Sequence, residues 1–201
     1  MNKSKIIKLH KSIKECAQCP DMNGPAVVGN PISSKIMLIG QAPGDKELLI
    51  PKPFAWTAGK TLFKWFNQIG MDEDQFRNTI YMTAVCRCFP GKKPKGGDRV
   101  PNRTEIHTCS IWLESEFNLI KPQLILPVGK LAISQFLEVK KLTEVIGKSH
   151  QKEINGRLTE IIPLPHPSGA STWHTTKPGK SLLHVSLSLI KKHPLWKSYL
   201  S

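Results

Sequence analysis

The 201-residue chain contains no apolar run near the roughly 20 residues of a membrane span, so no transmembrane helix is expected. Its first residues, Met1 to Lys8, lack the apolar core and small-residue cleavage site of a secretory signal, which points to the cytoplasm. Acidic residues are scarce: 15 Asp and Glu stand against 29 Lys and Arg, a formal charge of +14. That excess selects for a polyanionic partner, nucleic acid ahead of membrane, because no long amphipathic basic helix is present. No internal repeat and no low-complexity segment is found, which leaves solenoids and disordered tails without support. In a reducing compartment the five cysteines are expected as free thiols open to a metal, not as disulfides.

What is present is strand and helix in alternation. The apolar run Ile36 to Ile39, closed by Gly40 and Pro43, reads as a buried parallel strand opening into a backbone-rich loop. Residues 60–70 carry Leu62, Phe63, Phe66 and Ile69 at helical spacing, with Trp65 falling to another face. A second strand is expected over 78–85, a helix capped by Thr104, a third strand over 123–128, a helix over 130–137, a last strand over 158–164 and a final helix over 181–192 with Leu182, Val185 and Leu189 inward. The fold class is therefore α/β: a three-layer single domain, residues 1–201, around a mostly parallel four-stranded sheet. Residues 1–34 form an N-terminal segment with a short basic helix over 5–15.

That segment ends in Cys16-Ala17-Gln18-Cys19, a turn placing two sulfurs on one side. Cys88 follows the second strand and Cys109 lies on the next helix, so four thiolates from three segments can close a 4Fe-4S cluster or a structural zinc site. Buried free cysteines are the plainer reading, and Cys86 is expected in the core. Between Cys88 and Cys109 runs a cationic loop with Lys92, Lys93, Lys95, Arg99 and Arg103, suited to phosphate.

Taken in order, Gly40-Gln41-Ala42-Pro43-Gly44 with Glu47, Pro53-Phe54 with Ala58-Gly59, Arg87-Cys88 with Pro90, and His166-Pro167-Ser168 resemble the iron-sulfur branch of the uracil-DNA glycosylase superfamily, family 4. The resemblance runs from Cys16 to the last helix and implies a monomeric base-excision enzyme that extrudes a damaged base from DNA and cuts its N-glycosidic bond. It implies Cys16, Cys19, Cys88 and Cys109 as ligands of a 4Fe-4S cluster. It further implies that Phe54 stacks on the base, that the backbone of Gln41, Ala42, Pro43 and Gly44 binds it, and that His166 donates to the developing anion. Asp45 and Glu47 either orient water or are surface charges, and neither is assigned as the base. Ser168 and Gly169, with Lys92, Lys93 and Arg103, are expected on DNA, and Trp173 either wedges or anchors its loop. Two positions depart from the family: Gln41 replaces a frequent Glu, and Ala84 stands where an asparagine reads uracil. Thr83 or Gln41 would then have to supply polar contacts. Another deaminated or alkylated base, or a non-catalytic lesion-sensing protein with the same fold, are the alternatives to uracil excision.

Overall fold

The strand Ile36–Gly40 (β1) is buried at every position because it lies between two parallel neighbours, Tyr81–Ala84 (β2) and Leu124–Pro127 (β3). The computed structural model describes residues 3–169 and 171–200, so Ala170 of the loop after His166 lies outside the described residues. The sheet continues through Arg157–Ile161 (β5) to His150–Ile154 (β4), giving the order β2-β1-β3-β5-β4 with β4 alone antiparallel. Thus five strands stand where four were expected. The extra strand, His-Gln-Lys-Glu-Ile, has three exposed residues at its centre, so it has no apolar alternation to betray it. Its Asn155-Gly156 turn, both residues at positive φ, is the hairpin signal that could have revealed it.

Side chains of β1 alternate between two cores, as period-2 geometry requires. Ile36 and Leu38 pack with Leu62, Phe66, Phe76 and Trp196, whereas Met37 and Ile39 pack with Tyr81, Leu113, Ile125 and Phe136. The first layer is built from Thr57–Asn67 (α2), Glu73–Thr79 (α3), Gly179–Lys192 (α6) and Pro194–Leu200 (α7). Lys3–Lys14 (α1), Arg103–Ile120 (α4) and the short helix Lys130–Ser134 (α5) supply the second.

Several local expectations are corrected by packing. Asn78 and Thr79 belong to α3, not to the second strand, because Asp72 caps a seven-residue helix by accepting from the Gln75 amide at 2.8 Å. Helix α4 is capped by Asn102, not Thr104: Asn102 accepts the Glu105 amide at 2.9 Å and Glu105 accepts the Asn102 amide at 2.7 Å. Trp65 is a core residue, packed edge-on to His174 with ring centroids 5.2 Å apart. In α6 the buried apolar residues are Leu183, Leu187 and Ile190; Leu182 and Leu189 are partly buried against core clusters as expected, while Val185 is 43% exposed. Helix α7, absent from the sequence reading, brings Trp196 into a stack on Phe66.

The loops after β1, β2, β3 and β5 all leave the carboxyl edge of the parallel strands. In open α/β sheets that edge is where ligands bind.

Candidate active site and cysteine cavity

The loop after β1 is shaped by what lies over Gly40. A Cβ there would sit 3.0 Å from Cζ of Phe54 and 3.1 Å from Cε2, so the ring lies close against bare backbone. Phe54 itself has φ +54, a left-handed conformation that a bulky residue adopts only when its surroundings impose it. Arg77 imposes it. This buried guanidinium donates from Nη1 to the Pro53 carbonyl at 2.8 Å and from Nη2 to the Phe54 carbonyl at 3.1 Å, while Nε holds Glu73 at 2.8 Å. Its flat face covers the Phe63 ring at 4.5 Å.

Glu47 clamps the same loop from the other side. One carboxylate oxygen accepts the Gly44 amide at 2.6 Å and the other the Ala55 amide at 3.4 Å. Burial pushes the carboxyl up, and the amides of Gly44, Ala55 and Phe54 pull it back. Glu47 therefore braces the two halves of the loop. Asp45 is bound to Lys92 at 3.1 Å, which holds it below the usual carboxylate range despite a smaller opposing effect of burial. Gly59, in α2, passes so close that a Cβ would overlap the Phe54 carbonyl oxygen at 1.8 Å. Gly59→Ala is accordingly expected to cost about 1–3 kcal/mol and to lower excision further than the lost stability explains, because the Phe54 loop must move. Thermal melts beside rate measurements check this.

His166 follows β5 and lines the same cavity as Phe54. The Ser168 amide donates to its Nδ1 at 3.2 Å, so Nδ1 carries a lone pair and the neutral ring bears its proton on Nε2. Burial, then His174, push its pKa below the ordinary imidazole value, with Asp98 opposing. Gly129, just past β3 with φ +86, makes room: a Cβ there would stand 3.0 Å from His166 Cδ2. A glycine closing a strand was the available signal for this contact, the same one read correctly at Gly40.

These walls enclose a cavity of about 720 Å³ lined by Gly40, Gln41, Ala42, Pro43, Gly44, Asp45, Glu47, Phe54, Thr83, Ala84, His166, Ser168 and Gly169. Ala84 pairs with Gly40 across the sheet and presents only a methyl group. Thr83 cannot replace a polar reader, since its hydroxyl donates to Glu116 at 2.7 Å. The Gln41 carboxamide makes no hydrogen bond among the described residues, although its backbone carbonyl accepts the Cys86 amide at 3.0 Å. Trp56, 48% exposed, also lines the cavity.

The cationic loop is a hairpin, with Lys92 bridged to Asp98 and the Lys93 amide donating to Gly97 at 2.9 Å. Lys92 is not a free phosphate ligand: its ammonium pairs with Asp98 at 2.7 Å as well as Asp45. Arg99 is likewise held by Glu105 at 2.5 Å. Lys93 lines the cavity mouth, while Arg103 opens α4 and does not line it.

Cys16, Cys19, Cys88 and Cys109 line a separate cavity of about 210 Å³ together with Arg87 and Trp112. All five cysteines are free thiols, and Cys86 is buried in the second core, outside that cavity. Trp112 Nε1 donates to Cys16 Sγ at 3.3 Å. Burial, and then the neighbouring thiols, push Cys88 up to about 11. Among the described residues no three Cys, His, Asp or Glu side chains close on a single metal ion. Arg87, buried against the same cavity, leaves Nε and Nη1 without a partner. Four cysteine sulfurs around one cavity, with a buried guanidinium that keeps two donors unpartnered, are a donor set that fits a cysteine-ligated iron-sulfur cluster.

Comparison with known proteins identifies the family and the fold. The sequence model of the Uracil DNA glycosylase superfamily matches residues 26–187, a span containing the whole slot and Cys88 and Cys109. A Type-4 uracil-DNA glycosylase of Pyrobaculum aerophilum is 30% identical over 169 residues, 80% of this chain and 82% of that protein. One of Archaeoglobus fulgidus is 30% identical over 168 residues, 79% of each. The crystal structure of wild-type Pedobacter heparinus SMUG2 superposes with a TM-score of 0.52, covering 94% of this chain and 96% of that one, at 14% identity. At that identity the likeness speaks for the fold.

Proposed function

The chain belongs to the uracil DNA glycosylase superfamily, and on that footing we propose that it is a uracil-DNA glycosylase, a hydrolase that opens base excision repair. One observation carries the site assignment: the Ser168 amide on His166 Nδ1 leaves Nε2–H as the ring's donor, and His166 lines the same cavity as the Phe54 ring. A flipped base slides between Gly40 and His166, with its face against Phe54 and its edge toward the amides of residues 41–44. Cleavage leaves an oxocarbenium-like sugar and an anionic base, and a fixed donor at the base oxygen stabilises the charge as it forms. Glu47 has both oxygens on backbone amides and Asp45 is paired with Lys92. Catalysis therefore rests on anion stabilisation, with the unpaired carboxamide of Gln41 positioning base or water, more than on a general base. The four cysteines would hold a 4Fe-4S cluster, which when bound cross-links the N-terminal segment, the β2 exit and α4 into one rigid corner. Among the described residues no helix is long and apolar enough to cross a membrane.

Ala84 favours a second reading, in which the slot accepts other deaminated or alkylated bases because no carboxamide at position 84 reads the base edge. Excision by anaerobically purified protein from oligonucleotides carrying uracil, hypoxanthine, xanthine or an alkylated base tests both. Uracil release alone supports the first reading, comparable release of several bases the second, and DNA binding without release of any base overturns enzymatic function. Lys93→Ala is expected to reduce the slope of log affinity against log salt by about one. Lys92→Ala should change it less, because Asp45 and Asp98 already neutralise that charge. Fluorescence binding titrations at several salt concentrations check the pair.

A further inference from the structure

Arg87 leaves β2 between the core cysteine Cys86 and the ligand candidate Cys88, and its side chain is 2% exposed. One edge is accounted for: Nη2 donates to Glu116 Oε2 at 2.5 Å. Glu116 in turn accepts from the Thr83 hydroxyl at 2.7 Å and the Tyr81 hydroxyl at 3.0 Å. Tyr81 meets His10 Nε2 at 2.9 Å, so the chain of polar contacts runs from α1 to the guanidinium. The remaining donors, Nε–H and Nη1–H, have no partner. A buried guanidinium with unpaired donors is costly, and proteins rarely retain one without an acceptor. Arg87 is among the residues that line the cavity of the four cysteines, and both unpartnered nitrogens are buried. Cysteine-ligated iron-sulfur clusters carry net negative charge, and their sulfurs accept hydrogen bonds.

We propose that Arg87 is a two-sided tether, held by Glu116 through Nη2 and donating from Nε and Nη1 to the sulfurs of the cysteine-held cluster. The proposal rests on the cluster reading above. It gives the cluster a fixed counter-charge and joins it to the active site. The amides of Val85 and Cys86 donate to the carbonyls of Gly40 and Gln41 at 2.9 and 3.0 Å, so the backbone that presents Arg87 is also the backbone that supports the base slot.

The test uses the full chain purified without air. Iron and sulfide content, the visible absorption spectrum, the midpoint potential and the rate of iron loss to a chelator are measured for wild type, Arg87→Lys and the double variant Arg87→Met with Glu116→Gln. Lysine keeps the charge but cannot reach Glu116 and two sulfurs at once. The double variant removes both charges, so neither is left buried alone. Both are expected to lose iron at least tenfold faster than wild type, to shift the visible bands, and in the double variant to lower the midpoint potential, since an N–H donor and positive charge favour the reduced cluster. Variants that fold by circular dichroism yet match wild type in rate, spectrum and potential overturn the proposal. If neither variant folds, pulsed EPR of the reduced wild-type cluster with guanidino-¹⁵N-labelled arginine decides: a ¹⁵N coupling to the cluster supports the tether, and its absence overturns it. Wild-type protein that takes up no iron or sulfide overturns the cluster reading itself, a separate outcome from failure of Arg87.

Discussion

Replacing His166 with alanine is expected to lower single-turnover uracil excision about 100- to 1000-fold, the effect of removing one aimed donor at a developing anion, while affinity for uracil-containing DNA changes only a few-fold. The expectation follows from the ring's fixed tautomer. With Nδ1 accepting from Ser168, the group facing the slot is Nε2–H, and a neutral donor there is strengthened as the base becomes anionic. His166→Gln keeps a donor of different reach and should recover part of the rate. The pH profile supplies an independent check. Burial depresses the folded pKa of His166, so the unfolded chain takes up its proton first, near about 6.5. The neutral ring already carries the Nε2–H donor, so excision should stay level above that value, while the group's share of stability should fall as the solution is acidified from there through the lower folded pKa. A wild-type rate that instead fell as pH rose through 7 would identify the imidazolium as the donor and remove the present assignment.

The second large effect belongs to Glu116. Glu116→Ala is expected to destabilise the protein by about 3–5 kcal/mol, because it strands the Arg87 guanidinium in the core without its carboxylate. For a domain of this size that corresponds to a melting temperature lower by roughly 10 °C. Burial pushes the Glu116 carboxyl up, while Arg87 and the hydroxyls of Thr83 and Tyr81 pull it back. Glu116→Gln keeps the shape and some of these contacts and should cost less. Differential scanning calorimetry on the three proteins gives the comparison, and a Glu116→Ala variant that melts with wild type would mean that the buried pair contributes nothing net.

Glu116 also shows where sequence reading stops. Its place on α4 is legible from Ile106, Cys109 and Leu113, but a glutamate in a helix reads as solvated unless its partners are known. Those partners, Tyr81, Thr83 and Arg87, lie 35 to 29 residues away along the chain. Arg77 is the same case: it looks like a surface residue beside Asp74 and Glu73, yet it holds the carbonyls that set Phe54. Lys92 errs in the opposite direction, because a cationic loop suggests free charge until Asp45 and Asp98 are seen to neutralise it. Strand β4 escaped because an exposed edge needs no apolar pattern.

Local chemistry, by contrast, could be read directly. Apolar runs closed by glycine mark buried parallel strands, since burial on two faces leaves no room for alternation, and four of the five cysteines read from three separate segments do line one cavity. The sequence alone thus determined an α/β sheet, a backbone-lined loop after its central strand and the residue types of both sites. Only the tertiary structure decided which of those residues face the slot, which proton His166 carries and which charges are already paired. Each depends on partners distant in sequence, and a hydrogen bond or ion pair leaves no periodic trace in the chain.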